Sequence, residues 1–212
     1  MTPNLQKLRT VMLAAMVLSL AVVSVTPVLA EKMPATGQTT AFQADKNDGI
    51  PGAVDVPDDG TLQRGATLRY KLLKDGTIKD LNTGLIWEVK CSGCGGLHDV
   101  GNTYLWSGDG SQETIWDWLD DINTEGGTGY AGHNDWRIPN VRELQSIVNY
   151  GLFNPAIDPI FGPTSAFDYW SSTISVDPAN AWVVVFSDGS VVSASIETGV
   201  FHFVRAVRGG PK

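Results

Sequence analysis

Apolar positions recur at helical spacing in two places along the chain. Ile115, Trp118, Leu119 and Ile122 fall on one face of a helix expected from about Glu113 to Asn123. Val141, Leu144, Ile147 and Val148 form a second stripe. That stripe begins behind Asn140, a good N-cap, and Glu143 three positions later completes a capping box in which each side chain satisfies a backbone donor. Gly151 is the expected stop. Elsewhere the pattern is that of strands. LRYKLLKDGTIKDLNTGLIWEV breaks at Asp75-Gly76 and Thr83-Gly84, both turn dipeptides, and leaves Leu85, Ile86, Trp87 and Val89 as a buried strand. The last third, FDYWSST, AWVVVFSDGS, VVSASIETG and FHFVRAVRGG, alternates or runs apolar between turn signals. DGTIKDLNTGLIW and DGSVVSASIETGVFH are alike enough to suggest that two hairpins open and close the domain and meet in one sheet. The expected class is α+β, two helices on antiparallel sheets, with a long Gly-rich loop from Lys90 to Gly110.

Two regions lie outside this pattern. Lys7 and Arg9 precede a nearly unbroken apolar run from Val11 to Val25, and Val28-Leu29-Ala30 offers small residues to a signal peptidase. Residues 1–30 are read as a cleaved export signal, placing the rest in the periplasm or outside the cell. An uncleaved anchor is the alternative. No later segment is long and apolar enough to cross a membrane. Residues 31–66 read as a flexible acidic linker rich in Gly and Pro, and residues 67–210 as the folded domain. Asp45, Asp48, Asp55, Asp58 and Asp59 in the linker raise calcium as an alternative, but their spacing does not fit a calcium loop, and no cofactor is expected.

Charge narrows the partners. The chain carries −8, and −10 without residues 1–30, whose only charges are Lys7 and Arg9. No run of Lys or Arg offsets this, so nucleic acid is not an expected partner.

The chemistry-bearing residues are few. Cys91 and Cys94 in CSGCGG run into Gly rather than a helix, which disfavours redox chemistry. Zinc would need two further ligands, so a short local disulfide is the expectation. His98, His133 and His202 are scattered, and no metalloprotease, nucleophile-elbow, phosphate-loop or dinucleotide motif occurs; no metal ligands and no catalytic residues are assigned. His133, Asp135, Trp136 and Arg137 place a base, an acid and a cation within five positions. They form either a ligand or catalytic cluster, or a polar bracket around the extended Ile138-Pro139 leading to the capped helix. The bracket is the reading taken, with Trp136 and Arg137 expected to be its most buried members.

The ordered motifs GYAGHNDWRIPNVRELQSIV, YWSST, AWVVVFSDGSV and VRAVRGG, with TGQT and DLNTGLIW upstream, resemble the Lcl C-terminal domain family. The resemblance implies a bacterial exported domain of C-type-lectin-like class, in which N- and C-terminal strands pair and long loops form a ligand surface. Trp170, Trp182 and Arg205 then join Trp136, Arg137, Asn140 and Glu143 as structural positions. The family takes its name from a collagen-like adhesin that binds sulfated glycosaminoglycans. This chain lacks Gly-X-Y repeats, so no trimerising stalk is expected, and its acidity argues against sulfated polymers as ligand. The expected function is a non-catalytic binding or adhesion module for a glycan or a cell-surface protein. Tyr104, Trp106 and Tyr130 would stack on sugars while Asp109, Asn102 or Asn134 meet hydroxyls. The alternatives are an enzyme resembling the formylglycine-generating class and a purely structural envelope protein.

Overall fold

The computed structural model describes residues 33–40, 58–197 and 199–210. The expected export signal, and Asp45, Asp48 and Asp55 of the acidic stretch, lie outside the described residues. Helix α1 (Asp59–Leu62) is followed by strands β1 (Tyr70–Leu72), β2 (Ile78–Asp80), β3 (Leu85–Trp87) and β4 (Tyr104–Leu105). Helices α2 (Ile115–Thr124) and α3 (Val141–Gln145) come next, then β5 (Asp168–Ile174), β6 (Asn180–Val185), β7 (Val191–Ser195), β8 (Phe201–His202) and β9 (Val207–Gly209). The strands make three antiparallel sheets, ordered β1-β2-β3-β9, β4-β8 and β5-β6-β7. The class is α+β.

The N-terminal strands meet the last strand, because β3 pairs with β9 through Leu85–Gly209, Ile86–Arg208 and Trp87–Val207. The two similar hairpins do not meet, however. β7 pairs with β6 and β8 with β4, so VVSASIETGVFH is divided between two other sheets. Similar turn chemistry fixes a hairpin locally but says nothing about which edge it will join.

Sheet β5-β6-β7 is covered on both faces. Tyr169, Val184 and Phe186 point into one core with Trp87, Leu144 and Phe161. Their alternates Trp170, Ala181 and Val183 point into a second core with Trp118, Ile122 and Trp136. This is the period-two consequence of strand geometry, and it explains why AWVVVF reads as continuous apolar sequence rather than as alternation. Trp182 is half-buried on β6, whereas Trp170 is fully buried and donates its indole N–H to the Tyr104 carbonyl at 2.9 Å.

The helices depart from expectation at their ends. Thr114 caps α2 and shares a reciprocal capping box with Asp117. Asn140 and Glu143 cap α3 in the same manner, yet α3 ends at Gln145, well before Gly151. Ser146 donates its hydroxyl to the Glu143 carbonyl, and Val148 leaves to form a bridge with Ile157. Ile147 and Val148 are buried as the helical stripe implied, but from a turn and a β-bridge rather than from helix. The Lys90–Gly110 loop also contains a strand, β4.

The stretch read as linker is docked at both of its described ends. Ala35 donates to the Ala66 carbonyl at 2.8 Å, Ala66 donates to Met33 at 2.9 Å, and Tyr150 donates to Thr36 at 2.7 Å. The Thr36 hydroxyl donates to the Asp59 carboxylate, and Asp58 caps α1 through the Thr61 amide. Gly37, at φ +84, lies against Asn149, and Gly151 lies against the Gly37 carbonyl, so a side chain at either glycine would collide. Composition marked the segment as polar and loop-like. It could not show that its backbone pairs.

Candidate functional site

The four residues from His133 to Arg137 that looked reactive take four different partners. Arg137 sends a bidentate pair of hydrogen bonds to Glu143, both 2.7 Å, and one to the Gly209 carbonyl at 3.2 Å. Its own backbone bridges Val207 at 2.9 and 3.0 Å. The carboxylate that closes the α3 capping box is therefore also gripped by the residue that holds β9. Arg137 is not among the most buried residues, since its side chain remains 40% exposed. A guanidinium keeps part of its fork in water while its hydrogen bonds point inward. Asp135 turns instead to Arg208, at 2.6 and 3.3 Å. His133 approaches Asp75 at 3.8 Å, and Trp136 is buried with its indole N–H on the Tyr130 carbonyl at 2.9 Å. Asn123, at the end of α2, clamps the Trp136 backbone from both sides, accepting from its N–H and donating to its carbonyl. The segment holds α2, α3 and β9 together.

The most concentrated charge is elsewhere, around Glu88. This fully buried carboxylate meets Lys90 at 2.8 Å and His98 at 2.7 Å through one oxygen and accepts the Ala206 amide at 2.8 Å through the other. Burial alone would raise its pKa, but Lys90 and then His98 hold it below the usual carboxylate range. Burial likewise pulls Lys90 below the usual lysine range, against the opposing pull of Glu88. Burial would also lower His98, yet its hydrogen bonds to Glu88 and, at 3.0 Å, to Glu125 hold its imidazolium above the ordinary value. Arg205, fully buried beside them, donates to the Glu88 and Phe161 carbonyls at 2.8 and 3.1 Å, to Pro163 at 3.3 Å and to the Thr164 hydroxyl at 2.8 Å. Both Glu88 oxygens are engaged, and Lys90 is buried over the Trp118 ring at 4.6 Å. The cluster ties β3, the following loop and the approach to β9. Cys91 and Cys94 are bonded to each other in that loop, and Cys91 donates its amide to the His98 carbonyl at 2.9 Å. Among the described residues no group of His, Cys, Asp or Glu converges as metal ligands would.

The six residues expected to meet a ligand are not all at the surface. Tyr104 is buried in β4 against Trp118, and burial pushes its phenol up to about 12. Tyr130 packs between His98, 4.0 Å away, and Trp136, 5.2 Å away. Asp109 accepts the amide and hydroxyl of Ser111 in its own turn, at 3.0 and 2.6 Å. Asn134 is exposed beside the Asp135–Arg208 pair, and Asn102 donates to the Gly96 carbonyl at 2.9 Å. Trp106 is half-buried against the second core. Its indole N–H donates to the Ser171 carbonyl at 3.2 Å, and its ring meets Trp116 edge to face, 5.2 Å between centroids at 89°. Trp116, on the outer face of α2, is 38% exposed. Its position in the helical pattern, off the Ile115–Trp118–Ile122 face, was the available signal that it faces outward.

The motifs that bracket β3, α3 and β9 are thus the ones the fold uses to close itself, and they coincide with a family match over residues 76–208, described as the Lcl C-terminal domain. The chain belongs to that family. No curated protein matches it. In this member of the Lcl C-terminal domain family, the matched span runs from the turn before β2 to the middle of β9. It contains the Glu88 cluster, the Arg137–Glu143 bracket and both tryptophans of the surface corner. Among the described residues no helix is long and apolar enough to cross a membrane.

Proposed function

We propose that the chain is an exported, non-catalytic binding module of C-type-lectin-like class that recognises carbohydrate through the Trp106–Trp116 corner. The observation that carries this reading is an exposed indole held against a second indole whose N–H is already engaged, so the ring faces are positioned before any ligand arrives. The pairing of the N-terminal strand β3 with the last strand β9 supports the fold class, and the apolar run before residue 31 supports export to the periplasm or cell exterior. Glu113, just before the Thr114 cap, and Asp120, four residues after Trp116 on the same side of α2, are exposed. They repel sulfated or uronic polymers and leave neutral sugars as the favoured ligands. The cysteines offer the formylglycine-generating alternative no support, because they lie at 91 and 94 and are bonded to each other rather than free near the C-terminus.

A neutral-glycan array probed with the wild-type chain and with Trp116→Ala tests the proposal. The wild type should bind a subset of glycans, and Trp116→Ala should weaken those about tenfold while keeping the wild-type melting curve. Absence of neutral-glycan binding by the wild type, or equal binding by the variant, overturns it.

A further inference from the structure

On another part of the domain, sharing no residue with the tryptophan corner, lies a cleft of about 690 Å3. Its volume falls in the range of pockets that hold small-molecule ligands, roughly 300–1,000 Å3. One wall is the backbone strap formed by Met33 to Thr36. The facing wall is α3 with Ser146, and the inner surface is supplied by Leu85, Val148 and Tyr150. The strap is fastened on both sides, through Ala66 and through Tyr150, so the cleft is a built feature of the fold.

Two charged side chains line it, Arg142 and Glu143. The Glu143 carboxylate is spent on Arg137 and on the Asn140 amide. Arg142 is exposed and forms no salt bridge among the described residues. The cleft therefore presents mainly apolar walls and one cation with no salt-bridge partner among the described residues, in a chain whose net charge is −8. Met33, 81% exposed at the rim, supplies an unbranched thioether that can repack around an occupant. We infer that this cleft is a binding site for a small amphipathic carboxylate, with its apolar body against the Met33–Thr36 strap, Leu85 and Val148, and its anionic head on the Arg142 guanidinium. An organic cation would meet Arg142 with like charge, and a neutral molecule of the same shape would forgo the charge-assisted hydrogen bond.

Titration of the full chain with dodecanoate, below its micelle threshold and followed by amide NMR, tests the assignment. The expected result is saturable shifts confined to residues 33–36, 82–85 and 140–150. Arg142→Gln should weaken the affinity about tenfold. Gln145→Trp, which fills the cleft from an exposed position and leaves Arg142 in place, should abolish the shifts, and dodecyltrimethylammonium should produce none. Shifts absent from the cleft, undiminished affinity in Arg142→Gln, or equal binding of the trimethylammonium probe each overturn the inference. The tryptophan corner takes no part in this experiment, so its outcome is independent of the glycan reading.

Discussion

At the scale of single residues, two arginines and one glutamate show why residue type alone misleads. Arg137 and Glu88 both sit in multi-bond ion pairs, but their solvent exposure differs. Loss of the half-exposed Arg137 leaves Glu143 solvated and still capping α3, so Arg137→Ala should cost about 1 kcal/mol. Loss of Glu88 would strand Lys90 and His98 in the interior and orphan the Ala206 amide. Glu88→Ala should therefore cost about 3–5 kcal/mol. Urea denaturation of the two variants decides this: equal losses would mean that the Glu88 cluster is open to water. Arg205 explains the VRAVR motif in the same terms, as a fully buried fork whose four hydrogen bonds gather the 161–164 turn and the end of β3.

At the scale of elements, the helices were legible because their signals are local. The Asn140–Glu143 box and the Ile115–Trp118–Ile122 stripe are complete within one or two turns of chain. The length of α3 was not legible, since the pairing that draws Val148 out of the helix comes from Ile157. β4 was missed for a similar reason, because its partner β8 lies far along the chain. The loop between β3 and β4 carries the disulfide, and Cys91 holds His98 in place through its backbone. Closing so small a ring contributes about 2 kcal/mol. Replacing both cysteines with serine should lower stability by about that amount, with the increase in amide exchange concentrated between residues 91 and 102. A uniform increase across the domain would show that the bond stabilises the chain generally rather than this loop.

At the scale of the whole molecule, the Glu88 cluster makes stability depend on pH in a direction that follows from its shifts. His98 has a raised value in the fold, so its contribution is complete below the ordinary histidine value of about 6.5 and is lost as pH rises through the folded value. Glu88 has a lowered value, so its contribution is present above the ordinary carboxylate range and is lost as pH falls through the folded value. The groups facing His98 are Glu88 and Glu125, with Lys90 and Arg205 behind Glu88. The melting temperature should thus fall as pH rises from about 6.5 through the folded value of His98. His98→Gln should flatten that limb while leaving the acid limb. A wild-type melting temperature that is level across this interval would show that the fold does not raise the His98 value.

The sequence by itself determined the family, the α+β class, the two helix starts and most of the core, because each depends on spacing or capping within a short stretch. It also placed Trp136, Arg137, Asn140 and Glu143 in one neighbourhood. Tertiary structure alone decided that Tyr104 is drawn into the core by β8 and that Trp106 meets the outward-facing Trp116. It likewise assembled the Glu88 cluster from positions 88, 90, 98, 125 and 205, and raised one wall of the Arg142 cleft from the strap at 33–36. These depend on pairings between residues distant in the chain, β9 on β3, β8 on β4 and the strap on Ala66 and Tyr150, rather than on any local pattern.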